Sequence, residues 1–458
     1  SPEGLLVDTD VDALGHERTI VRGGTLEGLV GYLTAPNIID STFTEVFLMT
    51  FRAYMTPMEL LNSLTTKYSD AASDHGTRTQ GARRRAETSQ PPNEVHLRIF
   101  IVLKQWLSDH SGDFTDDAAL RTEAGTFINE TLPRRGHNQL ASQLRGPFEK
   151  IAAGQISLRC HREFAIASGS TAPPPIVPEG PFSLRDVSPV ELARQLTLLD
   201  YDVFKRVKPE ELVTKSWTKN AQELAPNVSR AINWFNSVSS WATTLILQGS
   251  KRLDRADTIQ WLADVCRELH LLRSFNMLMA VLAAMQSSSV HRLKHTWQLV
   301  PKRSTNQIDL LRSLMSTAGS FKEYRKALQQ SAGAPCVPFL GVFLSDIIFI
   351  DDGNENTLGN DMLNFSKRRF LYDVIVQIRR FQLFEFVLHS VSEIQSQLEA
   401  LPPAVDAEEQ YATSLRAEPR GMSLEEVSQL ELRTCAVIWP ADFDNVPLAD
   451  ETVAPWMV

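Results

Sequence analysis

The chain has 458 residues, 43% hydrophobic and 22% charged, with a formal net charge of −9. This is the composition of a folded globular protein, and the length suits two or three domains. The acidic balance argues against electrostatic nucleic-acid binding, and no apolar run approaches the roughly 20 residues of a membrane span.

The first ten residues are acidic, with neither an initiator Met nor a signal-peptide core, and read as the edge of a piece cut from a longer protein. Cys160, Cys266, Cys336 and Cys435 are scattered without a close pair, which fits a reducing, cytoplasmic setting better than a disulfide framework. The sequons at Asn129, Asn227 and Asn364 are then chance matches.

Residues 19–34 (TIVRGGTLEGLVGYLT) read as a Gly-Gly break followed by a helix with Leu26, Leu29, Val30 and Leu33 on one face. A densely apolar helix follows over 42–51, and Pro57 opens another through Leu60, Leu61 and Leu64. Over 66–94 the composition turns to Ser, Asp, Gly, Arg, Gln and Pro, with a basic cluster at Arg83 to Arg85, and predicts a disordered insertion. That cluster is far below the basic density of a membrane-binding patch. Helical periodicity returns at 96–107 and continues toward Ile151.

These elements make an all-helical module over 15–165. A Pro-rich linker follows at 166–187, carrying Pro173, Pro174, Pro175, Pro178 and Pro181. A second helical domain, 188–420, opens on Ser188 as N-cap, Pro189 at the first helical position and Glu191 at the capping-box position. Helices are predicted at 227–248, 254–272, 274–285, 307–314 and 320–330. Strand-like alternation is scarce, so the fold class is all-α. The pattern weakens past Leu401, where Pro402, Pro403 and the acidic run at 406–410 mark the end of the domain. A C-terminal extension, 421–458, carries one more helix near 423–432; the segment with Trp439, Pro455 and Trp456 is unassigned.

Residues 335–382 organise this second domain as a helical hairpin. A continuous apolar arm leads into a turn-rich segment with Gly353, Asn354, Asn356, Gly359 and Asn360, which tolerate positive φ. The second arm carries an apolar stripe through Met362, Leu363, Phe370, Leu371, Val374, Ile375 and Ile378, with Lys367, Arg368, Arg369, Arg379 and Arg380 on its other sides. Phe339, Leu340, Phe343, Leu344 and Ile347 read as core. Asp351 and Asp352 close the first arm, where a helix C-terminus disfavours negative charge, so the carboxylates are expected to serve something outside the helix.

Catalytic motifs are missing. There is no phosphate-binding GxxxxGK[ST] loop, no GxGxxG after a strand, no GxSxG elbow and no kinase signature. His291 and His295, with Cys266 and His270 upstream, lack the Glu of a zinc hydrolase helix, and no metal is expected. The run from Asp352 fails as a calcium loop, with Thr357 at position six and Leu363 at position twelve.

The segments PCVPFLGVFLSDIIFIDDGN and LNFSKRR, together with SPVELARQLTLLDYDVFKRVKPEEL and SFNMLMAVLAAMQSSSVHRLKHTW, resemble the catalytic domain of Ras-family guanine-nucleotide exchange factors of the Son-of-sevenless-like type. Upstream, TLEGLVGYLT and FTEVFLMTFRAYMTPMELL resemble the Ras exchanger motif module of that family. The resemblance implies a protein that binds a Ras-like small GTPase, Ras or Rap, opens its nucleotide site with the hairpin, and promotes GDP release and GTP loading without cofactor or covalent chemistry. In that sense it is an exchange factor rather than an enzyme.

By the same resemblance Ile348 blocks the magnesium position, Asp352 engages a hydroxyl and a lysine of the GTPase, and Ser345 shares their face. The family usually has Leu, Glu and Thr at these three places. Asn276, Phe321 and Asn233 are implied as GTPase-binding residues, and Asn364, Lys367 and Arg368 as hairpin support. The alternative is a catalytically silent scaffold that binds a GTPase without opening it. A second GTPase at an allosteric site is implied for some members, with Phe47, Leu48 and Phe51 as a docking face or simply as module core. Membrane association would come only through the lipidated GTPase, at the inner face of membranes.

Overall fold

The computed structural model describes residues 4–11, 17–36, 40–73, 92–154 and 171–438. The Arg83 to Arg85 cluster, Trp439, Pro455 and Trp456 lie outside the described residues. The fold is all-α, with one small three-stranded sheet. Two compact units are present. The first comprises Ser1–Thr171, Tyr201–Ala231 and Ser331–Val387, and the second Ala172–Asp200, Ile232–Gln330 and Leu388–Val458. Among the described residues no helix is long and apolar enough to cross a membrane.

In the first unit the sheet is antiparallel in the order β1 (Leu5–Val11), β2 (Glu17–Gly24), β3 (Leu363–Asn364). Residues 19–24 are therefore strand, and the Gly-Gly pair is part of the pairing rather than a break. Gly23 lies opposite Asn364, and a Cβ on it would come within 2.6 Å of both the Leu363 carbonyl oxygen and Leu358. Only a residue without a side chain lets β3 approach so closely.

Thr25 then caps the helix Leu26–Thr34, its hydroxyl accepting from the Gly28 N–H at 3.1 Å. The helix Ser41–Thr50 buries Phe43, Phe47 and Leu48, and Phe51 follows into the same core. This burial settles the apolar surplus of Phe47, Leu48 and Phe51 as module core, not a docking face. Phe51 meets Trp106 edge-on, with ring centroids 5.5 Å apart.

The helix Pro57–Ser73 runs past Thr66, where the apolar pattern stops, because Tyr68 is a buried anchor. The chain resumes in the helix Glu94–Asp109, capped by Asn93. The hairpin belongs to this unit. Phe365 is wholly buried and stacks on Phe43 at 4.5 Å, so the foot of the second arm is part of the N-terminal aromatic core.

In the second unit the extended Pro-rich segment is tacked down. Glu191 accepts from the Ile176 N–H at 3.0 Å, and Arg194 donates to the Pro174 carbonyl at 3.2 Å. Ser188 accepts from the Glu191 N–H at 3.3 Å as an N-cap should. The Glu191 carboxylate is instead bonded to Ile176, Arg194 and Gln195, a use that a capping-box reading does not foresee.

Helices Arg252–Leu271, Phe275–Gln286, Lys302–Leu314 and Ala318–Gln330 lie close to the predicted spans. The acidic run at 406–410 opens a further helix, Ala407–Ala417, and Arg292 donates to the carbonyls of Ser414 and Glu418 at 2.8 and 2.6 Å. The last described helix, Leu424–Ile438, is held through Glu431 to Arg252 and the buried Arg255.

Candidate functional site

The first arm of the hairpin, Leu340–Gly353, turns Leu340, Phe343, Leu344 and Ile347 inward, and Phe339 just before it is half-buried. Ser345, Ile348 and Asp352 recur at spacings of three and four, which puts them on one side of the helix. Ser345 is exposed, its hydroxyl donating only to the Gly341 carbonyl at 2.9 Å. Ile348 is half-buried, and beside it Phe349 leaves 74% of its surface in solvent.

A large apolar side chain exposed next to a serine, an isoleucine and an acid makes a face suited to another macromolecule. The sequence marks Ile348 and Asp352 through the resemblance of the hairpin segment and not through periodicity, since Ile348 lies within the apolar run 347–350. Phe349, inside an unbroken apolar run, carries no such signal.

The connection between the arms is a compact turn. Gly359, Asn360 and Asp361 all have positive φ, and the Leu358 N–H donates to the Met362 carbonyl at 2.8 Å. The second arm is the helix Phe365–Phe381. Asn364 is its N-cap, accepting from the Lys367 N–H at 3.2 Å and donating to the Glu355 carbonyl at 3.0 Å.

Met362 and Leu363 thus precede the helix instead of starting its stripe. The buried stripe is Phe365, Arg368, Leu371, Val374, Ile375 and Ile378, and Phe370 stays about half exposed. The slip comes from the position of the N-cap, since a helix beginning at Phe365 turns Phe370 away from the side that Phe365 and Leu371 bury.

Lys367 and Arg368, which the charge pattern puts on the outer sides of this arm, are buried. Lys367 is 1% exposed and donates to the carbonyls of Asp351 and Asn354 at 2.9 and 2.8 Å and to Asn356 Oδ1 at 2.9 Å; its ammonium also pairs with Asp351 Oδ1 at 2.6 Å. One ammonium therefore closes the C-terminus of the first arm, where free carbonyls and the helix dipole favour a cation. Arg368 donates to the same Asn356 Oδ1 at 3.1 Å and lies over the Tyr54 ring. Asn364, Lys367 and Arg368 together join the two arms to one polar knot.

Outside that knot stands Lys215, three residues beyond the end of the motif that opens at Ser188. Its ammonium lies 2.5 Å from Asp351 Oδ2 and 2.8 Å from Asp352 Oδ1. The acidic end of the first arm is thus answered inside the chain, a partner that the sequence pattern does not disclose. Burial pushes the Asp351 carboxyl up, but hydrogen bonds from Lys215 and Lys367 outweigh it and hold the group below the usual carboxylate range. Hydrogen bonds to Asp351 and Asp352 hold Lys215 above the ordinary lysine value.

The other implied contact residues lie in the second unit. Asn276 is buried in the helix Phe275–Gln286 and donates to Asp200 Oδ1 at 2.9 Å. Asp200 is itself buried, its Oδ2 has no hydrogen-bond partner, and burial pushes its carboxyl up to about 7 against the opposing bond from Asn276. Phe321 is half-buried with φ of 62° at a kink in the helix Ala318–Gln330, and its ring meets Tyr324. Asn233 is exposed on the helix Pro226–Leu247.

Comparison with known proteins matches residues 20–127 to the RasGEF N-terminal motif and residues 191–369 to the RasGEF domain. Ras guanine nucleotide exchange factor P of Dictyostelium discoideum is 32% identical over 426 residues, covering 92% of this chain and 28% of that protein. Ras guanine nucleotide exchange factor A of the same organism is 31% identical, covering 88% of this chain and 66% of that protein. Protein son of sevenless of Drosophila melanogaster is 30% identical, covering 95% and 28%. The chain therefore spans between about a quarter and two thirds of the length of these relatives. With both modules present in the order N-terminal motif then RasGEF domain, the chain belongs to the Ras guanine-nucleotide exchange factor family.

Proposed function

We propose that this chain is a guanine-nucleotide exchange factor for a Ras-like small GTPase and that the hairpin is its working element. One observation carries the reading: the first arm aligns exposed Ser345 and Asp352 with half-buried Ile348 along one side while its end is fixed by the buried Lys367. Ile348 would fill the magnesium position of the GTPase, Asp352 would take the hydroxyl and lysine that otherwise serve phosphate and metal, and Ser345 would line the same contact. Asn276, Phe321 and Asn233 would hold the GTPase. Asn364, Lys367 and Arg368 would keep the lever rigid, braced by the N-terminal module over 15–165 through the Phe43 and Phe365 stack. The catalytic module would span 188–420.

Exchange of this kind is linkage. A protein that lowers nucleotide affinity by a given ratio is displaced by nucleotide with the same ratio, about 1.4 kcal/mol per tenfold. No proton transfer or covalent intermediate is required. The reaction would take place where a lipidated GTPase sits on the inner membrane face.

Release of a fluorescent guanine nucleotide from purified Ras and, in parallel, Rap tests the reading and ranks the two substrates. The wild-type chain is expected to accelerate release, and Ile348→Ala with Asp352→Ala to slow it at least tenfold with an unchanged circular dichroism spectrum. A wild-type chain that binds the GTPase without accelerating release would leave the silent-scaffold reading instead.

A further inference from the structure

Asp351 and Asp352 are adjacent carboxylates in different circumstances. Asp351 is shared, Lys367 on one oxygen and Lys215 on the other. Asp352 is 65% exposed, and among the described residues Lys215 is its one cationic partner, on Oδ1. Lys215 is 24% exposed and is presented from a constrained segment. Its backbone is left-handed, with φ of 52° and ψ of 31°, between the helix Pro209–Val213 and the turn Ser216–Thr218. A left-handed backbone is costly for a residue with a Cβ, so surrounding contacts must hold it there. Thr214 and Ser216 bond across it at 2.6 Å, and in the preceding helix buried Glu211 accepts from the N–H groups of Asn227 and Val228 at 2.9 Å each.

We propose that Lys215 is a positioning residue that competes, within the chain, for the acid the partner needs. It holds Asp352 while the protein is free and yields it to the ammonium of the docking GTPase, remaining on Asp351. This deepens the exchange reading and rests on it for the role of Asp352. The handover is cheap because Lys215 keeps one carboxylate and Lys367 continues to anchor the arm. It is not free, because an approaching ammonium meets an acid already neutralised and a like charge beside it. Exposed ion pairs of this kind change equilibria by about two- to fivefold.

The test uses the full chain, with nucleotide release from Ras measured over a range of GTPase concentrations and binding of nucleotide-free Ras measured beside it. Lys215→Met and Lys215→Gln are expected to lower KM and tighten binding about two- to fivefold while kcat and the urea midpoint stay near wild type. In an Asp352→Asn background the same substitutions are expected to change nothing, which a merely structural role of Lys215 would not produce. Unchanged or weakened binding in Lys215→Met, or an effect that survives Asp352→Asn, overturns the proposal. A wild-type chain that binds Ras without releasing nucleotide overturns the exchange reading alone, and the role of Lys215 is then decided by the binding series. A chain that does not bind Ras overturns both.

Discussion

Asp351, at the end of the hairpin's first arm, and Asp200, inside the second unit, are two withdrawn carboxylates that the fold accommodates in opposite ways. Asp351 has two lysines and is held ionised. Asp200 has one neutral amide, keeps an oxygen without a partner, and is pushed toward its protonated form. Desolvation disfavours charge in both places, and what differs is whether a cation is supplied. Where the chain supplies one, the acid is a strut that weakens only in acid; where it does not, the acid weakens the fold as pH rises toward neutral.

The largest test of this contrast removes the strut. Lys367→Met leaves the Asp351 carboxylate, the carbonyls of Asp351 and Asn354, and Asn356 Oδ1 without their buried cation, and the expected loss is about 3–5 kcal/mol in urea unfolding. A loss below about 1 kcal/mol would mean that Lys215 alone suffices.

The second test is the pH dependence of stability. The folded-state value of Asp200, about 7, lies above the ordinary carboxyl value, so the folded state binds the extra proton in between. Stability contributed by this group then falls as pH rises from about 4 to about 7, by at most about 1.4 kcal/mol per pH unit, and levels off above. Asp351 contributes with the opposite sign: its stabilisation is present above the unfolded value and is lost as pH falls through the lowered folded value. Asp200→Asn is expected to remove the decline between pH 4 and 7 and leave the acid limb intact. Persistence of that decline would assign it to another group.

The smallest effect is at the cap. Asn364→Ala should cost about 1 kcal/mol, through loss of the Lys367 N–H bond and of the tie to the Glu355 carbonyl.

Only the Asp351 side of this contrast is legible in the sequence. The two arms follow from an apolar run and a helical stripe, and the unfavourable acids at the first arm's end were visible as a problem. Their solution was not, because Lys215 is 137 residues away from Asp352 in the chain and no local pattern links the two. Lys367 and Arg368 were readable as helix residues, yet helical periodicity cannot say that a charged position faces a buried set of carbonyls instead of water. The strand over 19–24 escapes the sequence pattern for a related reason. Its second partner is a two-residue strand near position 363, and what fixes that pairing is the absence of a side chain at Gly23. Asn276 and its buried acid likewise depend on a contact between distant helices that neither motif encodes.

The stack of Phe365 on Phe43 has a consequence for synthesis. The N-terminal aromatic core and the edge of its sheet are finished by residues 363–365, more than 200 residues after the helix Asn138–Ala152 that precedes the Pro-rich segment. At translation rates of about 5–20 residues per second, that interval leaves β2 with an unpaired edge, and Phe43 without its cover, for roughly 10–40 s on the ribosome. Until residues 363–365 arrive, that edge and that ring are open to chaperones and to premature association.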